Sequence, residues 1–197
     1  MRYISAILLI VLFGCATTKI TGFSDPAYSN RTYSSTVVFA SNLGLEKAAE
    51  LESKICSKFM EHGTSCYSFL TLFPPTREHT PDNVFASLSE RGIDSLIMLT
   101  AGGDYSSSQI FAYQAYGSAY SYGGSTSAQA TSIPLRSYYR QSEMRIIVID
   151  SATREVAWIG DAKTEGKGMV NITDSAFQSS LSTEIVRILF ESPHFKQ

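Results

Sequence analysis

The residue types that most often carry chemistry are thinly spread in this chain. His62, His79 and His194 are its three histidines, and none is spaced with another as a metal-ligand pair. A helix end, a loop and the chain terminus are their expected settings, which predicts surface histidines. Serine is abundant, but no Gly-x-Ser-x-Gly elbow occurs, and there is neither a Walker loop nor a Gly-x-Gly-x-x-Gly turn after a strand. Asp94, Asp104, Glu143, Asp150, Glu155 and Asp161 could pair as acid and base. They fall at strand ends and turns, where acids serve solubility and turn formation, and their spacing nominates no pair. The pattern predicts no catalytic residue, no metal site and no cofactor: a non-enzymatic chain.

The cysteines say more. Cys15 closes a segment in which Arg2 gives a short positive start and Ile4 to Phe13 an apolar run broken only by Ser5. That is the layout of a secretory signal peptide, too short to span a bilayer as a mature helix. Leu12-Phe13-Gly14-Cys15 resembles the bacterial lipobox, with Phe13 bulkier than usual before the glycine. The resemblance implies a leader of residues 1–14, cleavage before Cys15, a diacylglycerol on the thiol and often acylation of the new amine. Two or three acyl chains, at about 0.8 kcal/mol per buried CH2, anchor a protein stably. Ala16 stands where aspartate typically retains such proteins in the inner membrane. The implied address is the periplasmic face of an outer membrane, or the cell membrane of a source without one. Export would leave Cys56 and Cys66 as an even pair in an oxidising compartment. They are either a disulfide joining the first helix to the next strand or two buried thiols.

Composition supports a packed domain. Apolar residues make up 44%, aromatics 12% and charged residues 17%, with a formal charge of −2. No long-range attraction to nucleic acid follows from that balance. Residues 15–34 are largely small and polar, with Thr and Ser leading, Gly, Asn, Asp and Pro once each and single aromatics between them, and predict a flexible tether, with one globular domain over 35–192. Ser35 to Ala40 reads as a buried strand, followed by a helix capped at Ser41 or Asn42 and ended by Gly63. Ser65 to Leu72 is a second strand. Thr80-Pro81 starts a helix that stops at Gly92, and Ile93 to Thr100 is a third strand. Gln141 to Asp150 and Glu155 to Ala162 form a hairpin, and Thr173 or Asp174 caps a last helix. The fold class is α+β or α/β: a mixed sheet with helices on its faces, its first three strands parallel through right-handed crossovers.

The unusual interval is 105–135. No charge occurs between Asp104 and Arg136, while Tyr113, Tyr116, Tyr120, Tyr122 and Gly123-Gly124 are prominent. Three readings stand. It is a strand with a long flexible loop that carries tyrosines because they are amphipathic, or a protein-contact surface in which these tyrosines meet a partner. Or it supplies strands to a membrane barrel, although Ile110 to Tyr122 alternates poorly.

The domain as a whole resembles small bacterial envelope lipoproteins. The likeness is carried by Val37-Val38-Phe39-Ala40, Leu43-Gly44-Leu45-Glu46-Lys47-Ala48-Ala49, Phe73-Pro74-Pro75-Thr76-Arg77-Glu78, Gly92-Ile93-Asp94 and Thr153-Arg154-Glu155-Val156-Ala157-Trp158. Its element order is similar to the domain shared by the curli-export lipoprotein and the N-terminal part of the Tol-system protein TolB. The resemblance implies a membrane-tethered assembly, export or scaffolding component with an envelope protein as partner, and admits a homo-oligomer. Ring formation around an export path is the alternative, and a hydrolase of envelope glycans or peptides a more distant one.

Overall fold

A computed structural model describes the chain from Ala16 to Phe195, apart from residues 123–124 and the side chains of 120–127. Cys15 and the leader lie outside the described residues. The elements are β1 (Thr17–Ser24), a 3-10 turn (Pro26–Tyr28), β2 (Ser35–Ser41), α1 (Leu45–Glu61), β3 (Ser65–Ser68) and α2 (Phe69–Leu72). Then follow α3 (Pro81–Glu90), β4 (Ser95–Tyr122), β5 (Ser125–Asp150), β6 (Val156–Lys167) and α4 (Asp174–Glu191). One mixed sheet takes the order β1-β6-β5-β4-β2-β3, with β2 parallel to both β3 and β4 and every other pair antiparallel.

The helices form where apolar spacing and end signals coincide. α1 buries Ala48, Leu51, Ile55 and Phe59 on one stripe, and Gly63 at φ +82° turns the chain out of it. Its N-cap is Gly44, not Ser41 or Asn42, because Asn42 sits in the left-handed region at φ 58° and delays the helix. α3 starts as expected: the Thr80 side chain accepts from the Asn83 amide, Pro81 follows, and Gly92 at φ +66° ends the segment. Thr173 caps α4 by accepting from Ala176, and Phe177, Leu181, Ile185 and Leu189 face inward.

α1 and α4 cover one face of the sheet, where Val38, Ala40, Ile97, Leu99, Ile146 and Val148 complete the main core. α2 and α3 cover part of the opposite face over Val37, Leu96 and Ile149. Glu52 is buried in α1 and fully used: its carboxylate accepts from the Ala40 amide, the Ser68 hydroxyl and the Leu70 amide. That capture shortens the second expected strand. Pairing stops at Ser68, and residues 69–72 coil into the single turn of α2. Cys56 and Cys66 are joined by a disulfide between α1 and β3, with an S–S distance of 2.06 Å.

Three further expectations are corrected. Residues 16–34 are not a tether. β1 pairs with β6 over its full length, Ala16 and Thr18 are buried, and Thr18 donates or accepts at both Thr164 and Ser180. Gly22 and Gly160 leave room for the Trp158 ring, since a Cβ on either would lie within 2.3 Å of it. His194 is not a surface histidine: it is buried, stacked on Tyr33 with ring centroids 5.9 Å apart, and its Nδ1 is 3.3 Å from the Arg31 carbonyl. Finally, residues 105–122 and 125–135 are not a loop inserted between strands. They continue β4 and β5 as one long antiparallel ladder, paired from Ser95↔Asp150 to Tyr122↔Ser125.

Candidate functional site

The expected acid candidates are each tied to a structural partner. Burial alone would raise the Asp94 carboxyl, but donors from Ser34 and Ser35 outweigh it and hold the group below its usual range. Asp150 accepts from the Ala152 and Thr153 amides in the turn after β5, and its other oxygen meets Arg31 and Tyr33. Glu155 accepts from the Tyr28 hydroxyl, Asp161 from Arg145, and Glu143 from the Gln141 amide. These contacts organise turns and strand surfaces. Among the described residues, no group of three or more His, Cys, Asp or Glu side chains could hold a metal ion.

The feature that stands out is the β4–β5 hairpin. β2 ends its pairing with β4 at Ser41↔Thr100, and β6 ends its pairing with β5 at Tyr139↔Lys167. Past those points both outer edges of the hairpin lack a neighbouring strand among the described residues, and a row of backbone donors and acceptors faces outward on each side. At about 3.3 Å per residue, β4 reaches roughly 55 Å from Tyr105 to Tyr122.

Its base is braced. Asp104 and Arg140 sit diagonally across the ladder, with Arg140 Nε donating to Asp104 Oδ1 at 2.9 Å. The same guanidinium reaches Asp174 at 2.8 Å and the Ile172 carbonyl at 2.9 Å, and lies 4.7 Å above the Phe177 ring. Asp104 and then Asp174 strengthen its hold on its proton against the opposing effect of burial. Lys47 also binds Asp174, at 2.8 Å, and with Arg140 keeps that carboxyl below its usual range. A hollow of about 210 Å³ lies here, bounded by Leu43, Leu51, Met144, Phe177 and Arg140. The brace ties the base of the ladder to α1 and α4.

Beyond the base the two faces differ. A register shift between Ile110 and Ala112 exchanges the faces along β4. After it, Tyr113/Pro134, Ala115/Ser132, Gly117/Ala130 and Ala119/Ala128 share one face, small and poor in polar groups. The other face carries Ala112/Leu135, Gln114/Ile133, Tyr116/Thr131 and Ser118/Gln129, a mixed surface with amides. Tyr113 and Tyr116, two of the expected partner contacts, are exposed on opposite faces. Tyr120 and Tyr122 lie in the same strand, but their side chains are outside the described residues. No helix among the described residues is long and apolar enough to cross a membrane, which leaves strands untested by that criterion.

The N-terminal end belongs to the same neighbourhood. Thr17 pairs with Glu165, Glu165 with Gln141, and Gln141 with Tyr105. The first described residues therefore lie level with the base of the hairpin.

No family model matches the chain, and no curated protein matches it either. Among solved structures it is similar to the PelC dodecamer from Paraburkholderia phytofirmans, at 11% identity over 92% of this chain and 100% of that one, with a TM-score of 0.45. It is also similar to lipoprotein GNA1162 from Neisseria meningitidis, at 11% identity over 80% of this chain and 99% of that one, with a TM-score of 0.46. At that level of likeness no function carries over.

Proposed function

We propose that this chain is a non-catalytic, lipid-anchored protein of the outer membrane, facing the periplasm, that works in assembly or export through protein contacts made by its hairpin. The form the geometry favours is self-pairing. Copies set their hairpins side by side, β4 of one against β5 of the next, and close a shared barrel through the membrane. The observation that carries this reading is a projecting ladder with two open edges and no charge from Phe111 to Tyr122 or from Ser125 to Leu135. Each stretch is about as long as a tilted membrane strand of roughly 9 to 11 residues. In hydrocarbon an isolated hairpin would strand both outer rows of peptide groups, and closure between copies satisfies them. The small face would meet lipid and the amide-bearing face a watery lumen.

A second reading, that the hairpin grips a different envelope protein, is favoured by the exposure of Tyr113 and Tyr116. Mild-detergent extracts of the acylated protein should contain a discrete multimer that conducts ions in planar bilayers. Replacing residues 111–135 by a short turn should abolish both properties. A monomer without conductance would sink the barrel, and photo-crosslinking from Tyr116 to another protein, without self-crosslinks, would favour the second reading.

A further inference from the structure

We propose that the turn between β6 and α4 is a membrane-docking finger, with Met169 and Val170 entering the bilayer beside the acyl chains on Cys15. The inference rests on the acylation of Cys15, and adds to it a surface, an orientation and a partner: the phospholipid of the same membrane.

Met169 and Val170 are 72% and 69% exposed, the most solvent-exposed of the large apolar side chains in the described residues. An exposed apolar pair at the tip of a mobile loop would mean little, but this turn is built. Gly168 adopts φ +83° and donates to the Tyr138 carbonyl at 2.9 Å, seating the turn against the hairpin. Asn171 closes it twice, its amide donating to the Gly168 carbonyl and its side chain to the Lys167 carbonyl. Thr173 donates to the Val170 carbonyl, and Arg140 holds the Ile172 carbonyl. Gly166 lets the turn fold back onto the strand, because a Cβ there would stand 2.2 Å from the Asn171 carbonyl oxygen. The carbonyls of Lys167, Gly168, Val170 and Ile172 each accept a hydrogen bond from within the protein, and two apolar side chains are left facing out.

Three observations say what covers them. Ala16 and Thr17 border the same groove as Val170 and Asn171, so the chain enters the domain beside the finger. Ala16 is buried and β1 starts at the next residue, so an acyl group on Cys15 has no slack and holds this end of the domain at the lipid surface. The uncharged part of the hairpin leaves from this same end, while Lys167, just before the turn, and Arg136, on the hairpin, suit the phosphate level. Apolar tips flanked by basic residues at one level are the arrangement by which a folded domain rests on a bilayer.

The test uses full-length acylated protein in vesicles of phosphatidylethanolamine and phosphatidylglycerol. An environment-sensitive dye is placed on Met169→Cys, on Val170→Cys, and on Glu90→Cys at the far end of the domain. Flotation of the vesicles reads the anchor itself. The proposal expects flotation of all three, with a blue shift and quenching by spin-labelled lipid at 169 and 170 and neither effect at 90. Flotation with watery spectra at 169 and 170 overturns the finger and leaves the anchor standing. A blue shift without lipid quenching overturns it in favour of burial by another copy, and equal quenching at 90 overturns it as dye-driven. Protein that fails to float removes the anchor, and the finger with it.

Discussion

Arg140 and Asp104 clasp each other diagonally across β4 and β5 at the level where those strands lose their neighbours in the sheet. The clasp extends into α4 through Asp174 and the ring of Phe177, so a single guanidinium ties the projecting ladder to the helical layer.

Arg140→Ala should therefore loosen the hairpin more than it unfolds the domain. Its charged hydrogen bonds are partly shielded, and losing them should lower stability by roughly 2 kcal/mol. Denaturant midpoints give that figure, and limited proteolysis between residues 104 and 140 should accelerate by a larger factor. Arg140→Lys should recover only part of the loss, because an ammonium cannot span Asp104, Asp174 and the Ile172 carbonyl together. Equal proteolysis in all three proteins would show that the clasp does not set the hairpin.

Ser118 and Ala119 are neighbours on opposite faces of the ladder. If the small face meets lipid, Ala119→Arg should weaken membrane assembly by about 2 to 4 kcal/mol, and Ser118→Arg by much less. The comparison is between multimer yields in detergent extracts, with thermal melts confirming that both variants keep the folded domain. Equal effects would mean that the two faces do not divide lipid from water.

The Cys56–Cys66 bridge closes a short loop between α1 and β3. Reduction should lower stability by roughly 2 to 3 kcal/mol on the loop-entropy estimate. Free thiols in the purified protein before any reductant is added would contradict the bridge.

His194 makes stability depend on pH in one direction. Burial holds its pKa below the ordinary value of 6.5. As pH falls through 6.5 the unfolded chain takes up a proton that the folded chain still refuses, so folding is progressively disfavoured. Stability from this group is complete above pH 6.5 and drains away as pH falls toward the lowered folded value. The carboxyls held low, such as Asp94 and Asp174, act further down the scale, near the usual carboxylate range. Thermal midpoints at pH 7.5 and 5.5 should differ, and His194→Phe should reduce the difference. An unchanged difference would assign it to other groups.

Elements whose signals are local are legible in the sequence alone. Thr80-Pro81 with Gly92, and Thr173 with the Phe177–Leu189 stripe, mark α3 and α4 through contacts within a few residues. β1 was not legible, because Thr17–Ser24 has few large apolar residues and its partner, β6, lies some 140 residues downstream. The hairpin failed for a different reason. The shift at Ile110/Ala112 breaks a period-two reading along β4, and the faces emerge only when each residue is set beside its partner on β5. Glu52 could be placed on the helix but not explained, since its three donors come from β2, β3 and α2. Of the site, the tyrosines were nominated by composition, whereas Met169-Val170 carried no marker beyond two apolar residues between Gly168 and Asn171.

The lone tryptophan has a practical value that follows from its setting. Trp158 lies against Gly22 of β1 as well as Gly160 of its own strand, sealed from water by a segment that begins one residue after Ala16. Intrinsic fluorescence is consequently a gauge of whether the N-terminal strand is seated. A red shift without loss of helical circular dichroism would report that strand peeling away while the rest of the fold stays intact.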